Sequence, residues 1–295
     1  MFYKNVMNLM EKLDFPAQAR EELLSILEVL LKSEDFVGIV KSYKNTHSDF
    51  TKILEDAKKL ATDKEICEYT VYMLLFLCMA TRLYELYLEK GIDEKIYYDT
   101  LCDLRYKLEE CKLVHKKLGT FVPTWYKGFF EMRIFALGRL QFEINHTWFD
   151  CEIDGAQIPK GTKVLSVHIP RTNTRLEHSM VIASYQQAAE FFKNDFDDNI
   201  IFVCNSWLLY PWNREVLKDG SNLAEFYDDF TIVNNGEYQN YSEVWRLFDC
   251  LYDGNPDNLP NDTSLRRAYI ERIRAGLSIG HGTGVIVFNK IIKSR

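Results

Sequence analysis

The sequence lacks several features that would have classed it at once. Its cysteines number 7, an odd count, and no two stand at CxxC spacing. Cys67, Cys78, Cys102, Cys111, Cys151, Cys204 and Cys250 are scattered, which excludes a disulfide framework and points to a reducing, cytoplasmic compartment. Long apolar runs are missing too. The most apolar stretch, VYMLLFLCMA (71–80), is closely bounded by Glu68 and Arg82. A bilayer span needs about 20 apolar residues, so this stretch reads as a buried helix and no membrane partner is expected. The opening MFYKNVMNLMEKLDFP carries acids and makes a poor signal peptide. Positive charge is in deficit: the net charge of −7 argues against a nucleic-acid partner. There is no glycine-rich phosphate fingerprint that opens a helix, no GxSxG elbow and no metal-ligand spacing, so no metal is expected. Internal repeats and low-complexity segments are also absent.

What is present is a globular composition, 47% hydrophobic over 295 residues, enough chain for two domains. Residues 1–118 show almost no strand signal. Apolar residues recur at helical spacing, as in Leu23, Leu24, Leu27, Leu30 and Leu31. Pro16 marks a helix start, and Ser33, Asp49 and Asp63 are candidate caps. Long helices are predicted over 64–90 and 93–118, broken at Gly91. The character changes at GTFVPTW (119–125). Beyond it, strands are predicted over 132–146, 163–170, 200–206, 228–234 and 284–292. Helices are predicted over 177–193, 212–218, 221–227, 241–251 and 263–275. DGAQIPKGT reads as turn, and GHGTG (280–284) as a tight turn before a strand. The fold class is therefore α+β or α/β: an all-helical domain over 1–120, then a mixed-sheet domain with flanking helices over 121–295.

Alternation along the strands sorts their side chains onto two faces. Arg139, Gln141 and Glu143 share a polar face of one strand, Ser166 and His168 that of another. Cys204 and Ser206 share one face of a third strand, and Val203, Asn205 and Trp207 the other. Glu143 and His168 are residue types suited to proton transfer near neutral pH. A half-solvated sheet would explain Glu143 as well. Pro170, two residues after His168, ends the ladder. The loop RTNTRLEHS then leads into a helix, the arrangement in which free N–H groups and the helix dipole collect anions. Arg171 and Arg175 add positive charge there.

Seven stretches resemble, in order, a bacterial acyltransferase-like family: GRLQFE, KVLSVHIP, SYQQAAEFF, VCNSWLLYP, SNLAEF, LPNDTSLRRAY and GLSIGHGTG. That family has a helical N-acyltransferase N-terminal domain and a GNAT-like C-terminal domain. The resemblance covers nearly all of 119–295, and the helical first part fits by character. It implies that acetyl-CoA or another acyl-CoA serves as co-substrate. The pantetheine arm would enter where KVLSVHIP parts from IIFVCNSW, against the backbone of Val167 and Ile169. Pyrophosphate would lie on Arg171, Thr172, Asn173, Thr174 and Arg175, with Asn222 as a further cofactor contact. Glu143 or His168 would take the proton of an amine, and Tyr227 would protonate the leaving thiolate. Arg139, Trp207, Cys204 and Ser206 would shape the pocket for a small-molecule amine or amino-acid-like acceptor. The loop departs from the GNAT pattern in having no glycine, which weighs toward a second reading: a non-catalytic ligand-binding or interaction module on the same scaffold. A third reading makes Cys204 an acylated nucleophile with His168 as its base.

Overall fold

A computed structural model of the chain describes residues 2–153, 155–172, 174–196, 199–238 and 240–288. The chain divides into two compact units, Met1–Phe135 and Ala136–Arg295. The Gly/Pro-punctuated stretch 119–125 thus belongs to the first unit.

The first unit is helical: α1 (Phe2–Lys12), α2 (Ala17–Leu30), α3 (Glu34–Ser42), α4 (Phe50–Asp63), α5 (Glu68–Glu89), α6 (Glu94–His115) and the short α7 (Lys127–Phe130). α5 carries the apolar run, and every residue from Thr70 to Ala80 is buried. By length and composition α5 could cross a membrane, but 72% of its apolar window is buried inside the protein. Its core is aromatic: Phe76 packs against Tyr126 and Phe130, with ring centroids 4.7 and 5.5 Å apart. Asp49 caps α4, accepting from the Lys52 N–H at 3.0 Å. Ser33 stands at the N-cap of α3 without using its hydroxyl, and Asp63 closes α4 instead of starting a helix. Gly91 adopts φ +67° just after α5, the left-handed step that favours glycine.

The second unit is built on a six-stranded mixed sheet, ordered β1-β2-β5-β6-β8-β7. The strands are β1 (Ile134–Leu137), β2 (Leu140–His146), β5 (Lys163–His168), β6 (Ile200–Ser206), β7 (Thr231–Glu237) and β8 (Gly280–Phe288). A separate hairpin comprises β3 (Cys151–Ile153) and β4 (Ala156–Ile158). The helices are α8 (His178–Phe191), α9 (Pro211–Val216), α10 (Asn222–Asp228), α11 (Trp245–Phe248) and α12 (Ser264–Arg274). The predicted fold class is borne out.

Four local expectations are corrected. The single strand expected over 132–146 is two, because Gly138 turns the chain at φ +73°. A Cβ there would lie 2.7 Å from the Ser184 hydroxyl. The turn-rich DGAQIPKGT (154–162) contains β4, which pairs with β3 just before it, each strand only three residues long. GHGTG lies inside β8, not in a turn. Its glycines serve close approach: a Cβ on Gly282 would meet the Leu209 carbonyl oxygen at 1.9 Å. The helix expected over 241–251 shrinks to one turn, stopped by Asp249 at φ +60°.

Each face of the sheet has its own cover. Phe142 and Phe202 pack on Tyr185 of α8, with centroids 6.3 and 4.9 Å away. On the other face, Val164, Val203 and Val285 form a cluster with Ile153 and Ile158 of the hairpin. That cluster sits toward the start of β5 and β6, and the opposite end of the same face turns polar.

Candidate active site

The site begins where two parallel strands part. β5 pairs with β6 only at Leu165↔Phe202 and Ser166↔Val203. β6 nevertheless continues to Ser206, paired all the way with β8. Val167 and His168 therefore leave β6 while still paired with Phe142 and Gln141 of β2. His168 stands at the end of the strand, on the released side of a gap in the sheet.

Register places the polar groups together. Gln141 lies opposite His168 and Glu143 opposite Ser166, all four on one face. The Glu143 carboxylate oxygen Oε2 is 3.5 Å from His168 Nε2. Glu143, Gln141 and Ser166 are buried, and only His168 is partly open to solvent. The half-solvated explanation for Glu143 is thus overturned. A buried carboxylate beside an imidazole stabilises the imidazolium that proton uptake creates.

The loop after β5 is held at both ends. Arg139 donates from Nη1 to the Pro170 carbonyl at 3.0 Å and from Nη2 to the Thr174 carbonyl at 3.4 Å. Its side chain spans the loop, where a role in the acceptor pocket was expected. Arg171 pairs with Asp249, which also accepts from Arg266 Nη2 at 2.7 Å. An anion drawing on Arg171 must compete with that carboxylate. The Thr172 and Thr174 hydroxyls bond each other at 2.8 Å. Arg175 is exposed and makes no ion pair among the described residues. Asn173 lies outside the described residues. Ile169 is half-buried next to the gap. Glu177 is the N-cap residue of α8 without a side-chain cap, so the first N–H groups of α8 stay available.

The remaining candidates stand on other elements, β6, the turn after it and α10. Cys204 faces α8, on the opposite side of the sheet from His168, and is 1% exposed. Burial pushes its thiol up to about 12. The thiol-enzyme reading fails on both counts, and Cys204 cannot line an acceptor pocket without unpacking the core. Ser206 uses its hydroxyl to accept from the Leu208 N–H at 3.2 Å. Trp207 packs on the cluster around α12, its ring 6.3 Å from that of Tyr269. Asn222 begins α10, which Ser221 caps. Tyr227, on the same helix, has its hydroxyl pKa raised by burial and by Asp228, with Arg214 opposing.

Sequence reasoning passed over a second imidazole–carboxylate pair. His178 Nε2 is 2.8 Å from Asp229 Oδ1, joining the start of α8 to the end of α10. Burial raises the Asp229 carboxyl, and the bond to His178 offsets part of that rise. The two residues are 51 apart in sequence, and neither stands in a motif that would pair them. Among the described residues no cluster of His, Cys, Asp and Glu could hold a metal.

A mixed sheet parted between neighbouring parallel strands, with a polar strand end and a loop leading into a helix start, is the GNAT arrangement. Residues 134–286 match the family described as GNAT-like C-terminal domain, and residues 4–132 match the N-acyltransferase N-terminal domain. The chain belongs to this two-domain, GNAT-like acyltransferase family. Among solved structures it is similar to an acyltransferase mutant in complex with octanoyl-CoA, at 19% identity and a TM-score of 0.76. That match covers 97% of this chain and 88% of the other. It is also similar to an acyltransferase in complex with decanoyl-CoA and teicoplanin, at 20% identity and a TM-score of 0.70, covering 95% of this chain and 87% of the other. A further similar structure, with the same identity, coverage and TM-score, holds CoA and 10C-teicoplanin. At such identities the likeness is one of fold. No curated protein sequence matches the chain.

Proposed function

We propose that this protein transfers an acyl group from acyl-CoA to an amine by direct attack, with His168 as the general base. The observation that carries the reading is the position of His168: at the strand end released by β6, with the Glu143 carboxylate 3.5 Å away. The amine nitrogen attacks the thioester carbonyl carbon, forming the C–N bond. His168 takes the proton the nitrogen sheds, and Glu143 stabilises the resulting imidazolium. The C–S bond then breaks, and the CoA thiolate is protonated by Tyr227 or by water. The released backbone of Val167 and Ile169 receives the pantetheine arm. The N–H groups at the start of α8, with Arg175 and Arg171, receive the pyrophosphate. The neighbours' octanoyl and decanoyl donors support a medium-chain acyl group. Their teicoplanin acceptor is a glycopeptide, so the acceptor is proposed here by its amine and not by small size. The seven free cysteines accord with a reducing, cytoplasmic setting.

The non-catalytic alternative draws on one observation, the pairing of Arg171 with Asp249 in a loop without glycine. A thermal-shift panel of CoA and acetyl-, octanoyl- and decanoyl-CoA separates the readings, because any ligand of the native state raises Tm. A rise with acyl-CoA that Arg175→Ala weakens supports the donor site. No rise at millimolar concentration refutes it.

A further inference from the structure

The polar strip at His168 does not stop at the gap. Ser166 pairs with Val203, so two residues on, His168 stands level with Asn205 of β6. Asn205 lies directly opposite Thr283 of β8, and Thr283 directly opposite Asn234 of β7. Gln141, His168, Asn205, Thr283 and Asn234 thus form one transverse row on one face, crossing five strands. Two residues back toward the hairpin, β6 and β8 carry Val203 and Val285, while β2 and β5 already carry Glu143 and Ser166. On β6 and β8 the change from valine to amide and hydroxyl side chains falls at the level of the proposed base, Val203 giving way to Asn205 and Val285 to Thr283.

Two details set the outer half of this row apart from an ordinary solvated face. A β-bulge between Ile232 and Asn234 resets the alternation of β7, which is what puts Asn234 on this face. Bulges commonly re-aim a side chain near a binding site. Asn205 and Asn234 are exposed, and among the described residues neither side chain makes a hydrogen bond. One row further, His281 has a buried Nδ1 with no hydrogen-bond partner among the described residues. Apart from His168 the row holds no ionisable side chain, so whatever lies on Asn205 and Asn234 is held by neutral hydrogen bonds.

We infer that the acceptor is an extended, otherwise uncharged molecule rich in hydroxyl or amide groups, held by the exposed Asn205 and Asn234 on either side of the buried Thr283, with its amine at His168. This rests on the proposed function, since it takes His168 as the reacting end. Strands about 4.8 Å apart put Asn234 about 14 Å from His168, three strands away. That is the length of about four amino-acid residues in an extended chain, or of a short oligosaccharide. Asn205 and Asn234 are then specificity-determining residues, each offering a donor and an acceptor to the same ligand.

The test uses the full chain with octanoyl-CoA and two pairs of amines: glucosamine against lactosamine, and glycinamide against triglycinamide. In one pair, kcat/KM for the extended member exceeds that of the short member by about tenfold, the worth of one or two hydrogen bonds. The pair that shows it tells hydroxyl from amide recognition. Asn205→Ala and Asn234→Ala each erode that preference, and the double variant abolishes it. Equal kcat/KM within both pairs, or a preference that survives the double variant, overturns the inference. If acyl-CoA does not bind at all, the proposed function fails on its own. Calorimetric titration of the extended amines alone then decides the row. Binding lost in the double variant supports it, and no binding at millimolar concentration overturns it.

Discussion

Gly282→Ala is a severe test of how the site's platform is built. A Cβ on Gly282 would lie 1.9 Å from the Leu209 carbonyl oxygen and 2.6 Å from its carbon. These are backbone atoms, so no side-chain rotation relieves the clash. Leu209 is fully buried, at the end of the 3-10 turn Trp207–Leu209 that follows β6. The turn is pinned: Asn213 Nδ2 donates to the Trp207 and Leu208 carbonyls at 2.7 and 3.2 Å. Asn213 is itself held by the Tyr269 hydroxyl at 2.7 Å. Either the turn lifts off β8 or β8 bends. Overpacking costs about 1–3 kcal/mol where side chains can adjust, so a pinned backbone belongs at or above about 3 kcal/mol. At about 2–4 °C per kcal/mol for a unit of this size, Tm should fall by about 6–12 °C. Gly38→Ala is the counterpart, since a Cβ there meets nothing within 4 Å. Within α3 it should stabilise by about 0.5–1 kcal/mol. Calorimetric melts of both variants give the answer. A Gly282→Ala protein melting within about 2 °C of the parent would refute the close approach on which the turn's position rests.

Three further outcomes are expected. His168→Gln should lower kcat by about 10²–10⁴-fold while leaving the acyl-CoA dissociation constant near its parent value; full activity would remove His168 from the chemistry. Native-state alkylation at pH 8 should spare Cys78, Cys111 and Cys204, whose thiols burial pushes up to about 12, and label only among Cys67, Cys102, Cys151 and Cys250. Peptide mapping that finds Cys204 modified before unfolding would contradict its burial. The raised Asp229 carboxyl stabilises the fold most below the unfolded value near 4, and this contribution is lost as pH climbs through the raised folded value. Asp229→Asn should therefore flatten that part of the stability–pH curve in urea melts from pH 4 to 7, and an unchanged slope would assign the dependence elsewhere.

The sequence showed the parts that depend on local pattern. Helical spacing marked α5 and α6, and strand parity put Glu143 and His168 on matching faces because side-chain alternation needs no partner to be read. What it could not show is set by register and by distance along the chain. Nothing local distinguishes the glycines of β8 from a turn, because what they approach lies far off in sequence: the Leu209 carbonyl for Gly282, the Gly236 carbonyl for Gly280 and the Phe230 side chain for Gly284. Nothing local gives Arg171 its partner Asp249, 78 residues away. The parity that grouped Cys204 with Ser206 was right, but which of the sheet's faces α8 covers became visible only through Tyr185 and Phe202.

The short pairing of β5 with β6 also has a mechanical meaning. Two register pairs are all that stitch one half of the sheet, drawn from residues 134–168, to the other, drawn from 200–288. Such a seam would be the weakest line in the sheet were it not splinted from behind. Tyr185 of α8 leans on Phe142 on one bank and on Phe202 on the other. The platform can therefore flex open in front, as a book does, while its spine stays shut. Amide exchange should be fastest along the free edge of that opening and slowest beneath the splint.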